Sequence, residues 1–119
     1  MIDKEKQKKL YKSLGMKSFR EGDFAIEVMD KVSDKWMLLI SEMIFLRSPI
    51  RYMEISRSIP SISLRMLTLR LKQMEEIGLI YKENIEGGGA QMQYYLTELG
   101  VSYREAFSQA WIWAKNIKQ

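Results

Sequence analysis

Cysteine and histidine are both absent from this 119-residue chain. Without histidine there is no side chain whose ordinary pKa lies near neutrality; without cysteine there is no thiol nucleophile and no disulfide. Together the two absences remove the usual ligands of zinc, haem and iron–sulfur clusters. An enzyme built here would have to run on carboxylates, lysines, tyrosines and serines, and no pair of carboxylates or serine–lysine set falls at a convincing site. The expectation is a protein with no catalytic residues, no metal and no cofactor. Long apolar runs are missing as well. The most apolar stretch, Trp36–Leu46, is eleven residues long and contains Glu42, whereas a bilayer span needs roughly 20. The lysine-rich start of the chain is not followed by the apolar segment of a signal peptide. A cytoplasmic protein with no membrane partner is expected, and the lack of cysteine fits a reducing compartment.

What is present is charge, unevenly placed. The formal net charge is +4, a mild bias toward polyanionic partners. Residues 1–20 carry Lys4, Lys6, Lys8, Lys9, Lys12, Lys17 and Arg20 against Asp3 and Glu5, a net +5. Residues 21–46 carry six acids against Lys31 and Lys35, a net −4. Residues 47–72 then carry Arg47, Arg51, Arg57, Arg65, Arg70 and Lys72 against Glu54 alone, again +5. Five of those six cations are arginines, the side chain whose planar fork fits phosphate and guanine.

The two prolines and seven glycines act as punctuation between periodic segments. Asp3 to Leu14 reads as a marginal helix with Leu10, Tyr11 and Leu14 to bury, stopped by Gly15. After Gly22 comes a short helix, Ala25 to Val32. Asp34 is placed to cap the next helix, Lys35 to Arg47, which is apolar nearly all round and so belongs at the centre of the fold. Ser48-Pro49 breaks it, and Tyr52 to Ile59 forms another short helix. Pro60-Ser61-Ile62-Ser63 is a turn, with Ser63 placed to cap a helix from Leu64 to Ile77 that Gly78 ends. Leu79 to Ile85 and Gln91 to Leu96 read as the two strands of a hairpin with a Gly87-Gly88-Gly89 tip. Thr97 can cap a final long helix. Two helices joined by a tight turn and followed by a hairpin make a winged helix-turn-helix, mainly α with a small β-hairpin wing.

On a helical wheel Leu67, Leu71 and Met74 share the face of Leu64–Ile77 that turns to the body. The opposite face shows Arg65, Leu69, Lys72, Gln73 and Glu76, with Met66 and Thr68 on its flanks. Its first turns are cationic and its acids, Glu75 and Glu76, come last. A helix entering the major groove by its N-terminus needs that gradient. Arg65 suits guanine O6 and N7, and Leu69 a thymine methyl. Ser63 and Thr68 suit phosphates, with Lys72 as a backbone contact. Arg51 of the basic block, Ser61 of the turn and Gln91 of the wing complete the expected DNA-contacting set.

Ser61-Ile-Ser-Leu-Arg-Met-Leu-Thr-Leu-Arg-Leu-Lys-Gln-Met-Glu-Glu-Ile-Gly-Leu-Ile80 resembles the motif of the HxlR-type family of bacterial winged-helix regulators, which is MarR-like. Lys35-Trp36, Arg51-Tyr52 with Glu54-Ile55, and Tyr94-x-Leu-Thr-x-x-Gly100 support it, so the likeness runs from about Asp23 to Leu99. It implies a homodimeric transcriptional regulator with DNA contacts at Ser63, Arg65, Thr68, Lys72 and the wing. Two departures stand out. Where the family usually begins its core with Cys-Pro this chain has Asp23-Phe24, so sensing through that thiol is excluded. Where the family's wing has prolines and an arginine, this chain has Gly87-Gly88-Gly89-Ala90-Gln91, so Gln91 offers hydrogen bonds but no charge, and a weaker salt slope than an arginine wing gives is expected.

The final helix has an apolar arc from Trp113 and Ala106 through Leu99, Tyr103 and Phe107 to Trp111, wider than one packing face needs. Tyr103, Phe107, Trp111, Trp113 and Ile117, with Leu10, Tyr11 and Leu14, are the expected dimer interface. Residues 1–20 then form a basic helical arm, and 21–119 the winged domain with its dimerisation helix at about 98–118. A two-fold dimer sets its reading helices ~34 Å apart and so asks for an inverted-repeat operator. Nine methionines with Trp36, Phe45, Trp111 and Trp113 leave room for a small-molecule effector, although methionine as core filler is the favoured account of them. The competing reading is a winged-helix protein–protein module without DNA binding, which the uncharged wing motivates.

Overall fold

A computed structural model describes residues 3–14, 24–85 and 92–117. The elements in chain order are α1 (Lys4–Leu14), α2 (Phe24–Val32), α3 (Lys35–Arg47), β1 (Ile50–Arg51), α4 (Tyr52–Ser58), α5 (Leu64–Ile77), β2 (Ile80–Asn84), β3 (Met92–Leu96) and α6 (Glu98–Lys115). Contacts divide the chain into two compact units, Met1–Ser33 and Asp34–Gln119. In the first, the Asp3 carboxylate accepts the Glu5 N–H at 2.8 Å and so starts α1. The α2 helix is short, with Phe24 largely exposed at 78% and Val32 buried. The stop glycines Gly15 and Gly22 lie outside the described residues, as do the side chains of Tyr11 and Leu14.

The second unit is a winged helix. Its expected helices and caps are all present. Asp34 Oδ2 accepts the Met37 N–H at 3.0 Å, Ser63 Oγ the Met66 N–H at 3.0 Å, and Thr97 Oγ1 the Gly100 N–H at 3.0 Å. Each cap satisfies one of the first-turn donors that a helix leaves orphaned. The α3 helix lies at the centre, packed on α4, α5, α6 and β3. It buries Met37, Ile40 and Ile44, together with Ser41, whose hydroxyl donates to the Leu38 carbonyl at 2.8 Å. Ile50, Ile55, Ile59, Ile62, Leu67, Leu71, Met74, Leu79, Ile80, Tyr94 and Tyr103 are buried around it.

The hairpin expected from the sequence turns out to be part of a three-stranded antiparallel sheet in the order β1-β3-β2. Ile50 pairs with Tyr94 and Arg51 with Gln93, while Tyr81 pairs with Tyr95 and Glu83 with Gln93. The extra strand is only two residues long, and it sets buried Ile50 beside buried Tyr94 of β3. On the opposite face Tyr81 and Tyr95 stack with ring centroids 5.0 Å apart. The β2 strand starts one residue later than expected, because Leu79 is taken by the turn before it, and ends at Asn84. The glycine tip and Gln91 lie outside the described residues.

That turn sets how α5, the wing and α6 meet. Gly78 adopts φ 93°, the left-handed conformation that costs other residues most. Its N–H donates to Glu75, and the Leu79 N–H reaches back to Met74 at 2.9 Å, so the helix ends in a Schellman motif. Thr97 then clasps the turn. Its N–H donates to the Leu79 carbonyl at 3.0 Å and its hydroxyl to the Gly78 carbonyl. Gly100 lies so close that a Cβ there would come within 2.0 Å of the Leu79 carbonyl oxygen. The spaced Gly-Leu-Ile and Leu-Thr-x-x-Gly signatures are thus the two halves of one joint.

Candidate nucleic-acid interface

The α5 helix buries Leu67, Leu71 and Met74 and nothing else, as its periodicity requires. The opposite face is therefore turned outward. Arg65, Thr68, Leu69, Lys72 and Glu76 are all exposed, with Ser61 and Ser63 exposed in the turn before them. Six of the expected DNA contacts, Ser61, Ser63, Arg65, Thr68, Leu69 and Lys72, are brought onto one surface spanning the turn and the first two and a half turns of α5. Arg65 and Lys72 make no ion pair among the described residues. Leu64 at 52% and Leu69 at 44% exposure add an apolar component to the cationic face. Ser63 spends lone-pair capacity on the Met66 cap but keeps its hydroxyl proton.

The second basic block is less uniform than its charge count. Arg70 turns inward: its Nε lies 2.8 Å from Asp34 Oδ2, and its Nη1 donates to Gln73 Oε1 at 2.9 Å. Asp34 therefore caps α3 and anchors α5 with one oxygen. Arg70 is a structural cation, whereas Arg47, Arg51, Arg57, Arg65 and Lys72 remain exposed. Arg51 belongs to a different element from the six residues of the turn and α5. It lies in β1, cross-strand from Gln93, and its N–H donates to Glu54 Oε1 at 3.1 Å at the start of α4.

A residue the sequence reading passed over, Tyr52, holds the two helices of the motif together. Its hydroxyl lies 3.0 Å from the Leu64 carbonyl oxygen and 2.7 Å from Thr68 Oγ1. The only sequence signal for it was the Arg51-Tyr52 pair in the family likeness. Near it, Tyr94 has its hydroxyl pKa pushed up by burial, with Glu75 and Tyr52 adding to the effect.

The residues expected at a dimer interface fall into two sets. Tyr103 is 7% exposed and lies within the protomer, its ring 4.8 Å from that of half-buried Phe107. Arg104 locks the same part of α6 to α3: its Nε lies 2.8 Å from Glu42 Oε1, and its guanidinium sits 4.1 Å over the Phe45 ring. By contrast Trp111, Ile112 and Trp113 in the last turns of α6 and Ile117 just beyond it are exposed, and so are Phe45 and Leu46 at the end of α3. Leu10 is exposed on α1. Among the described residues no helix is long and apolar enough to cross a membrane.

Residues 31–119 match the family model described as HxlR-like helix-turn-helix. The chain is 33% identical over 93 residues to an HTH-type transcriptional regulator of Methanothermobacter thermautotrophicus (strain Delta H), covering 76% of this chain and 70% of that one. It is 31% identical over 80 residues to the HTH-type transcriptional regulator YodB of Bacillus subtilis (strain 168), covering 67% and 70%. Among solved structures, a MarR-family transcriptional regulator of Porphyromonas gingivalis W83 superposes with a TM-score of 0.75 at 31% identity, over 87% of this chain and all of that one. The matched segment takes in the whole winged unit, the exposed face of α5 and the clasped turn, and the chain belongs to the HxlR-like helix-turn-helix family.

Proposed function

We propose that this protein is a transcriptional regulator that binds double-stranded DNA as a homodimer, with α5 in the major groove of each half of an inverted-repeat operator, and that it acts as a repressor. The observation that carries the reading is the outward face of α5. Arg65 and Lys72 stand exposed and without ion pairs among the described residues, Leu64 and Leu69 lie beside them, and the acids come only at the far end. A purely protein-binding module has no need of a cationic N-terminal gradient. Arg65 would fork onto guanine, Leu69 would meet a thymine methyl, and Ser61, Ser63 and Lys72 would engage phosphates. The exposed tryptophans at the end of α6, with Phe45 and Leu46, are large apolar groups of the kind that a second copy would cover. The absence of cysteine means that any signal reaches this chain without chemistry on a thiol. An open cleft of about 360 Å³ lined by Leu39, Met43, Leu46, Ile59 and Trp111 is the place for a small-molecule effector, between the reading motif and α6.

Footprinting the DNA upstream of the protein's own coding region tests the proposal. Two protected half-sites one helical turn apart, with salt-dependent affinity above that for random duplex, are expected. Binding that is indifferent to both sequence and salt would overturn it in favour of a protein-interaction module.

A further inference from the structure

The hydrogen bonds around Tyr52 run in one direction. A tyrosine hydroxyl owns a single proton and the Leu64 carbonyl can only accept, so the 3.0 Å contact uses the Tyr52 proton. The 2.7 Å contact is then satisfied only if Thr68 donates to Tyr52 Oη. The relay is Thr68 to Tyr52 to Leu64. With its one proton spent, the Thr68 hydroxyl has only lone pairs to offer a ligand. A phosphate oxygen, guanine O6 and thymine O4 also offer only lone pairs, so none of them is a matched partner. The matched groups in the major groove are the exocyclic amines of adenine and cytosine. Thr68 is exposed, flanked on α5 by Arg65, Leu69 and Lys72.

Resting on the DNA-reading role proposed above, we infer that Tyr52 is a specificity-setting residue. By taking the Thr68 proton it makes Thr68 an acceptor that selects an amino-bearing base at one position of each half-site. Exposed Leu64 and Leu69 beside it favour adenine over cytosine, because the thymine opposite adenine carries the methyl group that apolar side chains contact. Tyr52 itself touches no base; it acts through Thr68.

The test is selection of bound duplexes from a randomised pool by the full chain, Thr68→Val and Tyr52→Phe, each at two salt concentrations. The wild type is expected to hold adenine or cytosine at one position, with guanine or thymine there costing about tenfold in affinity. Thr68→Val, which keeps the shape and removes the acceptor, should flatten that position alone. Tyr52→Phe frees the Thr68 proton and should move the same position toward guanine or thymine, leaving the other positions and the salt dependence unchanged. An unaltered base profile in Thr68→Val would overturn the inference, and so would Tyr52→Phe losing affinity evenly across all positions. If none of the proteins retains DNA in a salt-dependent way, the DNA-binding reading itself fails and this inference falls with it.

Discussion

Asp34 Oδ2 accepts the Met37 N–H at 3.0 Å and the Arg70 Nε–H at 2.8 Å, so one carboxylate oxygen both starts the central helix and holds α5 against it. The two side chains are about a fifth and a quarter exposed, sheltered enough for the pair to matter beyond an ordinary surface contact.

Splitting those two roles gives the first prediction. Asp34→Ala removes both the cap and the ion pair and should destabilise the fold by about 1–3 kcal/mol. Asp34→Asn keeps an acceptor for the Met37 N–H and loses the charge, so it should recover a good part of that loss. Urea denaturation with constant m values reads both. Equal losses in the two variants would mean that capping contributes nothing and the ion pair everything.

The same pair separates the cations of the basic block. Arg65→Ala should weaken binding to a preferred duplex by about 1–3 kcal/mol and relax one base preference. Lys72→Ala should weaken all duplexes alike and reduce the salt slope by about 1. Arg70→Ala should leave the salt slope unchanged and instead lower the melting temperature, because its guanidinium is spent on Asp34 and Gln73. A reduced slope in Arg70→Ala would place that arginine on the phosphate backbone and contradict the inward arrangement.

How much of this was legible beforehand depends on how local each feature is. The limits of α3 and α5, their caps at Asp34 and Ser63, and the inward set Leu67, Leu71 and Met74 all follow from side-chain period and first-turn chemistry within a few residues. The β1 strand was invisible, since Ile50-Arg51 has no period to read and exists only through pairing with β3 some forty residues later. The fate of Arg70 was equally hidden: a charge count cannot show that its partner lies 36 residues away. Thr68 looked like a free hydroxyl for the same reason, its partner Tyr52 being 16 residues earlier on another helix. A helical wheel likewise set Tyr103 on the same apolar arc as Trp111 and Trp113. Only the fold reveals that Tyr103 and Phe107 of this arc pack within the protomer while Leu99, Trp111 and Trp113 are exposed.

The clasped turn yields a prediction about two glycines that a sequence alone cannot rank. Gly78→Ala meets no neighbour nearer than Leu99 Cδ2 at 4.0 Å, and its cost is the left-handed backbone, about 1–2 kcal/mol. Gly100→Ala drives a Cβ onto the Leu79 carbonyl at 2.0 Å, where backbone rather than a flexible side chain must move. It should cost well over about 3 kcal/mol or prevent folding, and Thr97→Val, which removes the hydroxyl clasp without a clash, should fall between the two. Thermal melts of the three variants give the order directly. A Gly100→Ala protein as stable as the wild type would mean that α6 does not approach the turn so closely.

Alkaline pH should weaken the core through Tyr103. Burial, with the Asp34 charge adding to it, pushes its hydroxyl from 10.0 up to about 12. The unfolded chain releases the same proton near the ordinary value, so between pH 10 and 12 the folded state binds more protons than the unfolded one. Linkage then makes stability fall as pH rises through that window, and leaves the contribution of Tyr103 fully present below it. The loss attributable to this residue is at most about 2–3 kcal/mol. Tyr103→Phe cannot ionise there, so its unfolding free energy should decline less steeply than that of the wild type from about pH 10 upward, whatever its stability at neutral pH. Parallel curves for the two proteins would show that the Tyr103 hydroxyl titrates as it does in water. It would then lie open to solvent instead of being enclosed between α6 and the centre of the fold.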